Sequence, residues 1–201
     1  MALISPTSVV LDPDRVKVAY KEWAGICRAL GSGRQSILLR KGGIAEGPAG
    51  FRPEYPRFWL YPTHLHEAQQ GVREPSGEPP PTRYDGLVDL ELFAVVETVA
   101  RLERAEEIGA LDEFHVWTDE TVRSRFNYRS PGLWVLAVRV FRRLPSHRIA
   151  ATSDHAGCKS WVLLDDSLPM DHLVPVLSES EASSRHAALA MALSLSPSLS
   201  K

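Results

Sequence analysis

Residues 132–142, Gly-Leu-Trp-Val-Leu-Ala-Val-Arg-Val-Phe-Arg, limit the architecture of this chain more than any other run. On an extended backbone Trp134, Leu136, Val138 and Val140 fall on one side, and Leu133, Val135, Ala137, Arg139 and Phe141 on the other. Both sides are apolar, which demands cover on both faces and places the strand at the centre of a sheet. Arg139 breaks the pattern. A guanidinium among apolar neighbours must find a countercharge or hold a ligand, so the expectation is an internal pair with Glu22 or Glu91, with an anion contact as the functional alternative.

The other elements are read around that strand. Asp12-Pro13-Asp14 offers a helix start, and Tyr20, Trp23, Cys27 and Leu30 recur at helical spacing until Gly31-Ser32-Gly33. The spacing predicts a helix over residues 14–30. Ser36-Ile37-Leu38-Leu39-Arg40 reads as a strand ending in a turn, with Phe58 to Tyr61 as its partner strand and a proline- and glycine-rich loop between. A brief helix is expected at 64–70 and a loop at 71–86, the segment most open to proteolysis. Residues 87–99 read as a strand whose tail into Arg101-Leu102-Glu103 could turn helical, and 114–117 as a short strand. Thr118-Asp119-Glu120 caps a helix through Arg125. Residues 160–164 are the last expected strand, and Ser178-Glu179-Ser180-Glu181 has the form of a capping box before an alanine-rich helix.

These elements give an α+β fold: a mixed, mostly antiparallel, strongly curved sheet of about five or six strands, with N- and C-terminal helices flanking it. Residues 1–177 form a single domain, and 178–201 a C-terminal helix with a frayed tail. Hydrophobic residues make up 44% of the 201 and charged residues 24%, the balance of a globular chain rather than a disordered one. A net charge of -2 excludes nucleic-acid binding by bulk charge, which needs a large basic excess, and leaves local basic patches as the only electrostatic route. Two cysteines, Cys27 and Cys158, without a basic leader or a membrane-length apolar run, predict free thiols in a cytoplasmic protein and no membrane partner.

Candidate chemistry gathers at the strand ends. Arg40 and Lys41 precede two glycines, where exposed backbone N–H groups and cations can cradle phosphate; a tight turn with solvated charges explains the same residues. Within Phe58-Trp59-Leu60-Tyr61-Pro62-Thr63-His64, and with Trp161, Trp59 and Tyr61 could form a platform on which a base stacks, although core packing is the ordinary role of such rings. His64, His66 and Glu67 could supply a general base or metal ligands, but no third ligand is fixed by spacing and no metal site is assigned. Cys158 lies beside Lys159, yet adjacent strand residues point apart, which favours a small buried thiol over a nucleophile. Arg123, Arg125 and Arg129 make one cationic cluster, and Arg142, Arg143, His147 and Arg148 a second; together they predict one basic face.

Six separated words, Lys21-Glu22-Trp23-Ala24, Leu39-Arg40-Lys41-Gly42-Gly43-Ile44, Phe58-Trp59-Leu60-Tyr61-Pro62-Thr63 with His66, His115-Val116-Trp117-Thr118, Arg139-Val140 and Gly157-Cys158-Lys159-Ser160-Trp161, run in order across residues 16–165. Together they resemble the bacterial family catalogued as domain of unknown function 1802. The resemblance implies no catalytic residues and no cofactor. Members of that family are sometimes associated with an Mrr-like restriction endonuclease domain, which implies a link to restriction-modification or DNA metabolism. This chain has no Pro-Asp followed by Glu-x-Lys arrangement, so no restriction nuclease site is assigned to it.

The leading expectation is a nucleic-acid-associated binding or accessory module with a site formed by Arg40, Lys41, Tyr61, His66, Arg139 and Lys159, the cations on phosphates and the ring on a base. The competing classes are a small hydrolase or nuclease, in which His64, His66 or Glu67 activates water with or without a metal, and a structural subunit with a protein partner.

Overall fold

The computed structural model, which describes residues 14–41, 51–64, 71–73, 86–155, 157 and 159–194, puts the apolar run at the spine of a seven-stranded sheet. The strands are β1 (Arg15–Trp23), β2 (Ile37–Arg40), β3 (Arg57–Thr63), β4 (Leu87–Leu102), β5 (Leu133–Ala150), β6 (Trp161–Pro169) and β7 (Leu173–Pro175). Helices α1 (Ala24–Gly31), α2 (Asp119–Asn127) and α3 (Glu179–Ser194) accompany them, with 3-10 segments at Ala105–Phe114 and Ser153–His155. The strand order is β2-β5-β4-β3-β1-β6, and β7 joins β5. β1 and β3 pair in parallel; the other pairings of named strands are antiparallel. This is the expected α+β fold with a mixed, mostly antiparallel sheet.

β5 is central because both of its edges are used. One edge pairs with β4 from Leu133↔Leu102 to Ala150↔Leu87. The other carries β2 opposite residues 134–137 and β7 opposite 141–143. The strand therefore continues past the expected end at residue 142, and β7 follows what the sequence offered as the last strand. The surplus part of β5, residues 143–150, mixes charged and apolar residues, and β7 is only three residues long, so periodicity alone marks neither.

The N-terminal helix is shorter than expected. Residues 15–23 are strand, and helix begins only at Ala24. The alternation Arg15 exposed, Val16 buried, Lys17 exposed, Val18 buried is the two-residue period of a strand, and β-branched valines favour it. Tyr20, Trp23, Cys27 and Leu30 imitate a helical stripe only because a strand runs directly into α1. Gly33, at φ +73°, ends that helix in the left-handed region, and its N–H returns to the Leu30 carbonyl at 3.1 Å.

Three other expectations change. β3 does not pair with β2; it lies between β1 and β4. The tail of β4 stays extended to Leu102, because residues 98–102 find partners on β5, and helical geometry starts at Ala105. Within residues 114–117 only an isolated bridge forms, between Trp117 and Val72. The expected helix at 64–70 and most of the loop at 71–86 lie outside the described residues.

The core is aromatic and aliphatic, with Trp59, Trp117, Tyr20, Phe51, Phe58 and Phe114 fully buried. α3 covers one face. Ser178 caps it as expected: its Oγ accepts from the Glu181 N–H at 3.3 Å, and its own N–H donates to Glu181 Oε2 at 2.9 Å. Leu189 is the buried side chain of the helix. Polar clasps surround it. Arg185 donates to the carbonyls of Gly33, Arg34 and Glu113, and His186 meets Glu97, the extra residue of a bulge in β4, at 3.2 Å.

Arg139 is a further clasp. Its guanidinium pairs with Glu179 in the first turn of α3, not with Glu22 or Glu91, and Glu91 is taken by Arg142. Glu179 is 75% exposed, so water weakens the pair. Arg139→Met is therefore expected to fold cooperatively with a thermal midpoint within about 4 °C of the parent. Calorimetry showing loss of cooperative unfolding would put Arg139 among the buried structural ions instead.

Candidate functional site at the rim of the sheet

Parallel pairing of β1 and β3 brings the C-terminal ends of both strands to one rim, with Trp23 beside Thr63. The antiparallel β1–β6 pair puts the start of β6 there too, since Tyr20 lies opposite Trp161. β2 ends at Arg40, whose Nε donates to Ser160 Oγ at 2.7 Å. That bond joins the two outermost strands of the path, β2 to the residue before β6, so the sheet is curled until its edges meet at this rim.

Tyr20 and Glu22 point to the same side of β1 by the two-residue period, and both are buried. The Tyr20 ring lies 5.3 Å from Phe58, 5.0 Å from Trp161 and 6.1 Å from Phe51, and the Arg40 guanidinium stands 5.4 Å from it. From the opposite side α2 inserts Arg125. Its guanidinium lies 4.3 Å from the Trp23 ring and 4.4 Å from the Trp117 ring, so a cation is held between two indoles.

Glu22 sits among these cations. One carboxyl oxygen, Oε1, accepts the Trp23 N–H at 2.9 Å; the other, Oε2, is buried and has no hydrogen-bond partner. Burial raises the pKa of this carboxyl, opposed in turn by Arg125, Arg40 and the Trp23 N–H. The same burial lowers Arg125 to about 10, with Glu22 acting against the fall and Arg40 adding to it. One carboxyl group and two half-buried guanidiniums thus lie together at the rim. Such a set can take an anion, and Oε2 can take a hydrogen-bond donor.

The residues picked out from the sequence fare differently. Arg40 belongs to this cluster. Tyr61 is nearby on β3 but buried, with its ring 5.7 Å from His155, Lys21 Nζ 5.9 Å above it and its phenol pKa raised by burial. Lys41 turns away to the end of α2, donating to the carbonyls of Phe126 at 3.0 Å, Gly132 at 2.6 Å and Ser130. Its pKa is lowered by burial and then by Arg101. Lys159 donates to the Asp154 carbonyl. Arg139 is remote, under the start of α3. His66 lies outside the described residues, as do Gly42, Gly43, Glu67 and Cys158. Cys27 is a buried free thiol, as expected.

The basic face is largely neutralised. Arg123 pairs with Asp119 at 2.6 Å, Arg143 with Asp171 at 2.8 Å, Arg148 with Asp89 at 2.8 Å and Arg142 with Glu91. Arg125, counted with the surface cations from sequence, faces inward. Its spacing gives a signal for this: Val122, Arg125 and Phe126 are i, i+3 and i+4 on one helical face, and Val122 and Phe126 are buried. Glu22 is hidden from sequence reasoning because residues 15–23 read as helix, which removes the shared face with Tyr20.

A second polar cluster stands behind α2. Arg73 donates to the His115 carbonyl at 2.6 Å and approaches its Nδ1 at 3.1 Å, while Gln35 accepts the Val116 N–H at 3.2 Å. Burial lowers the His115 pKa to about 4, aided by Arg73 and Arg125. The folded protein holds this imidazole neutral, and the unfolded chain protonates it at an ordinary pKa of 6.5. Stability is therefore expected to be present above pH 6.5 and to fall as pH drops from 6.5 toward 4. In urea titrations across that window, His115→Gln should flatten the dependence by roughly 2 kcal/mol; an unchanged slope would assign the acid sensitivity to other groups.

Among the described residues no group of three His, Cys, Asp or Glu could hold a metal ion, and no helix is long and apolar enough to cross a membrane. The family model described as a domain of unknown function (DUF1802) matches residues 19–188. No curated protein matches the chain. Among solved structures it is similar to ASCH proteins from Zymomonas mobilis. The crystal structure of ASCH from that organism is 12% identical, with a TM-score of 0.38 over 85% of this chain and 93% of that one. A tyrosine-to-phenylalanine mutant of the same protein is 12% identical, with a TM-score of 0.43 over 86% and 96%. A serine-to-alanine mutant is 14% identical, with a TM-score of 0.39 over 88% and 98%.

Proposed function

The chain belongs to the DUF1802 family, and we propose that it serves there as a nucleic-acid-associated binding or accessory module whose site is the rim around Glu22, Arg40 and Arg125. The observation that carries this reading is the composition of the rim. It combines the half-buried guanidiniums of Arg40 and Arg125, half-buried Trp23 and Trp161 rings, and one carboxyl oxygen without a partner. A single nucleotide is complementary to all three, through its phosphate, the face of its base and the N–H groups on the base edge. A bare inorganic anion would use only the first. The resemblance described above directs the search for a biological setting to restriction-modification and DNA metabolism.

Because Arg123, Arg142, Arg143 and Arg148 are each paired with an acid, binding draws on few cations, and its salt dependence is correspondingly shallow. Titration against labelled single-stranded and double-stranded DNA and RNA, at low and moderate salt and with and without divalent metal, checks this. Saturable binding of a single strand, weakened about tenfold or more in Arg40→Met, is the expected result. Absence of binding to every nucleic acid at low salt would remove the proposal and direct attention to small anionic ligands and protein partners.

A further inference from the structure

We propose that a single-stranded nucleic acid held at the rim continues onto a second surface, the turn between α2 and β5, where Arg101 and Arg129 contact its phosphates. This rests on the nucleic-acid reading of the rim and gives the bound strand a path.

Strand register carries the rim to that turn. Arg40 of β2 lies opposite Trp134 of β5, and Trp134 lies opposite Arg101 of β4. Residues directly opposite on neighbouring strands share a face. Arg40, Trp134 and Arg101 therefore form one row, about 10 Å from end to end at the usual strand spacing. The Arg101 guanidinium lies 5.4 Å from the Trp134 ring, and Gly132 makes room for it, since a Cβ there would meet Arg101 Nη2 at 3.1 Å. Gly132 belongs to the turn that follows α2. In the same turn Arg129 adopts φ +62°, a conformation that glycine takes at lower cost, and its guanidinium lies 5.2 Å from the ring of Tyr128, which is 45% exposed. Lys41 Nζ ties the turn together through the carbonyls of Phe126, Ser130 and Gly132.

Charge is unbalanced here. Arg101 and Arg129 are exposed, and neither has an ion pair among the described residues. They differ in this from Arg123, Arg142, Arg143 and Arg148, each of which meets a carboxylate. Glu107, a few residues beyond Arg101, is engaged by Arg104 at 3.1 Å. Lys41 adds a third positive charge, bonded to carbonyls rather than to an acid, and Arg101 is close enough to add to the effect of burial in lowering its pKa. A guanidinium resting on a ring is held in orientation while its N–H edge stays open, and that edge fits two oxygens of one phosphate. Contacts of this kind position a strand without reading its bases.

The probe is a fluorescently labelled oligo-dT of about 12 nucleotides, titrated over a range of salt with the parent protein, Arg101→Met and Arg129→Gly. Each variant should bind about fivefold more weakly at low salt and lower the slope of log K against log salt by about 0.7, the contribution of one phosphate contact on a single strand. Oligo-dA and oligo-dC should show the same losses. Arg101→Met keeps an apolar stem against Trp134, and Arg129→Gly suits the backbone at its position, so thermal unfolding should show both variants folded, with Arg129→Gly at or above the parent midpoint. Should Arg101→Met fail to fold, Arg129→Gly alone decides. Folded variants that match the parent in affinity and salt slope overturn the role of the turn and leave the rim module standing. Poly-glutamate competing as strongly as an unlabelled oligonucleotide of equal charge would overturn it in favour of an acidic protein partner. No saturable binding of any strand by the parent overturns both.

Discussion

The guanidinium of Arg125, held between the indoles of Trp23 and Trp117, is the contact on which the rim depends. It fastens α2 to the end of β1, and it stands as countercharge to a carboxylate that burial would otherwise drive toward its neutral form. A lysine could not substitute, since a compact ammonium lacks the flat faces that two indoles can cover. Lys41 secures the same end of that helix by capping three carbonyls at and beyond the C-terminus of α2. The cations nearest the rim thus divide their work: Lys41 holds structure, Arg125 holds structure and charge, and Arg40 closes the sheet edge through Ser160.

The polar interior here is concentrated rather than dispersed. Glu22, Gln35, His115 and His155 are buried in a fold whose other faces are filled with aliphatic and aromatic side chains. Gln35 is fully used, linking the Val116 N–H to the Ile37 carbonyl. Glu22 is half used. A buried acceptor with one bond made and one open is costly for stability alone, and such costs collect where a chain binds something. On the outer surface, by contrast, Arg123, Arg142, Arg143 and Arg148 each meet a carboxylate.

Much of the fold was legible because it is written in strong periods. The two-faced apolar run made β5 central, Thr118 and Ser178 marked two helix starts through their side-chain oxygens, and Gly33 stopped α1. Errors arose where two elements meet without punctuation. Residues 15–23 alternate as a strand, but Tyr20, Trp23, Cys27 and Leu30 span the joint with α1 and mimic a single helix. The site was less legible for the same reason, since Glu22 gains a shared face with Tyr20 only when β1 is extended. Arg139 misled in the opposite direction: it interrupts an apolar face, yet its partner Glu179 comes from a helix forty residues on, a distance that strand periodicity cannot see. Arg40 and Tyr61 stand near one rim because each lies at or close to the end of its strand, and the topology brings those ends together.

The pairing of β1 with β6 bears on how the molecule is made. Tyr20 lies opposite Trp161, so β1 has only β3 beside it until residues 161–169 have left the ribosome. Closing so long a span costs entropy before any contact rewards it. The β4–β5 ladder, whose strands lie closer in sequence, is suited to form earlier and serve as the template. The rim, completed by Ser160 reaching Arg40, therefore cannot close before residue 160 has emerged, long after β1, β2 and β3 are out.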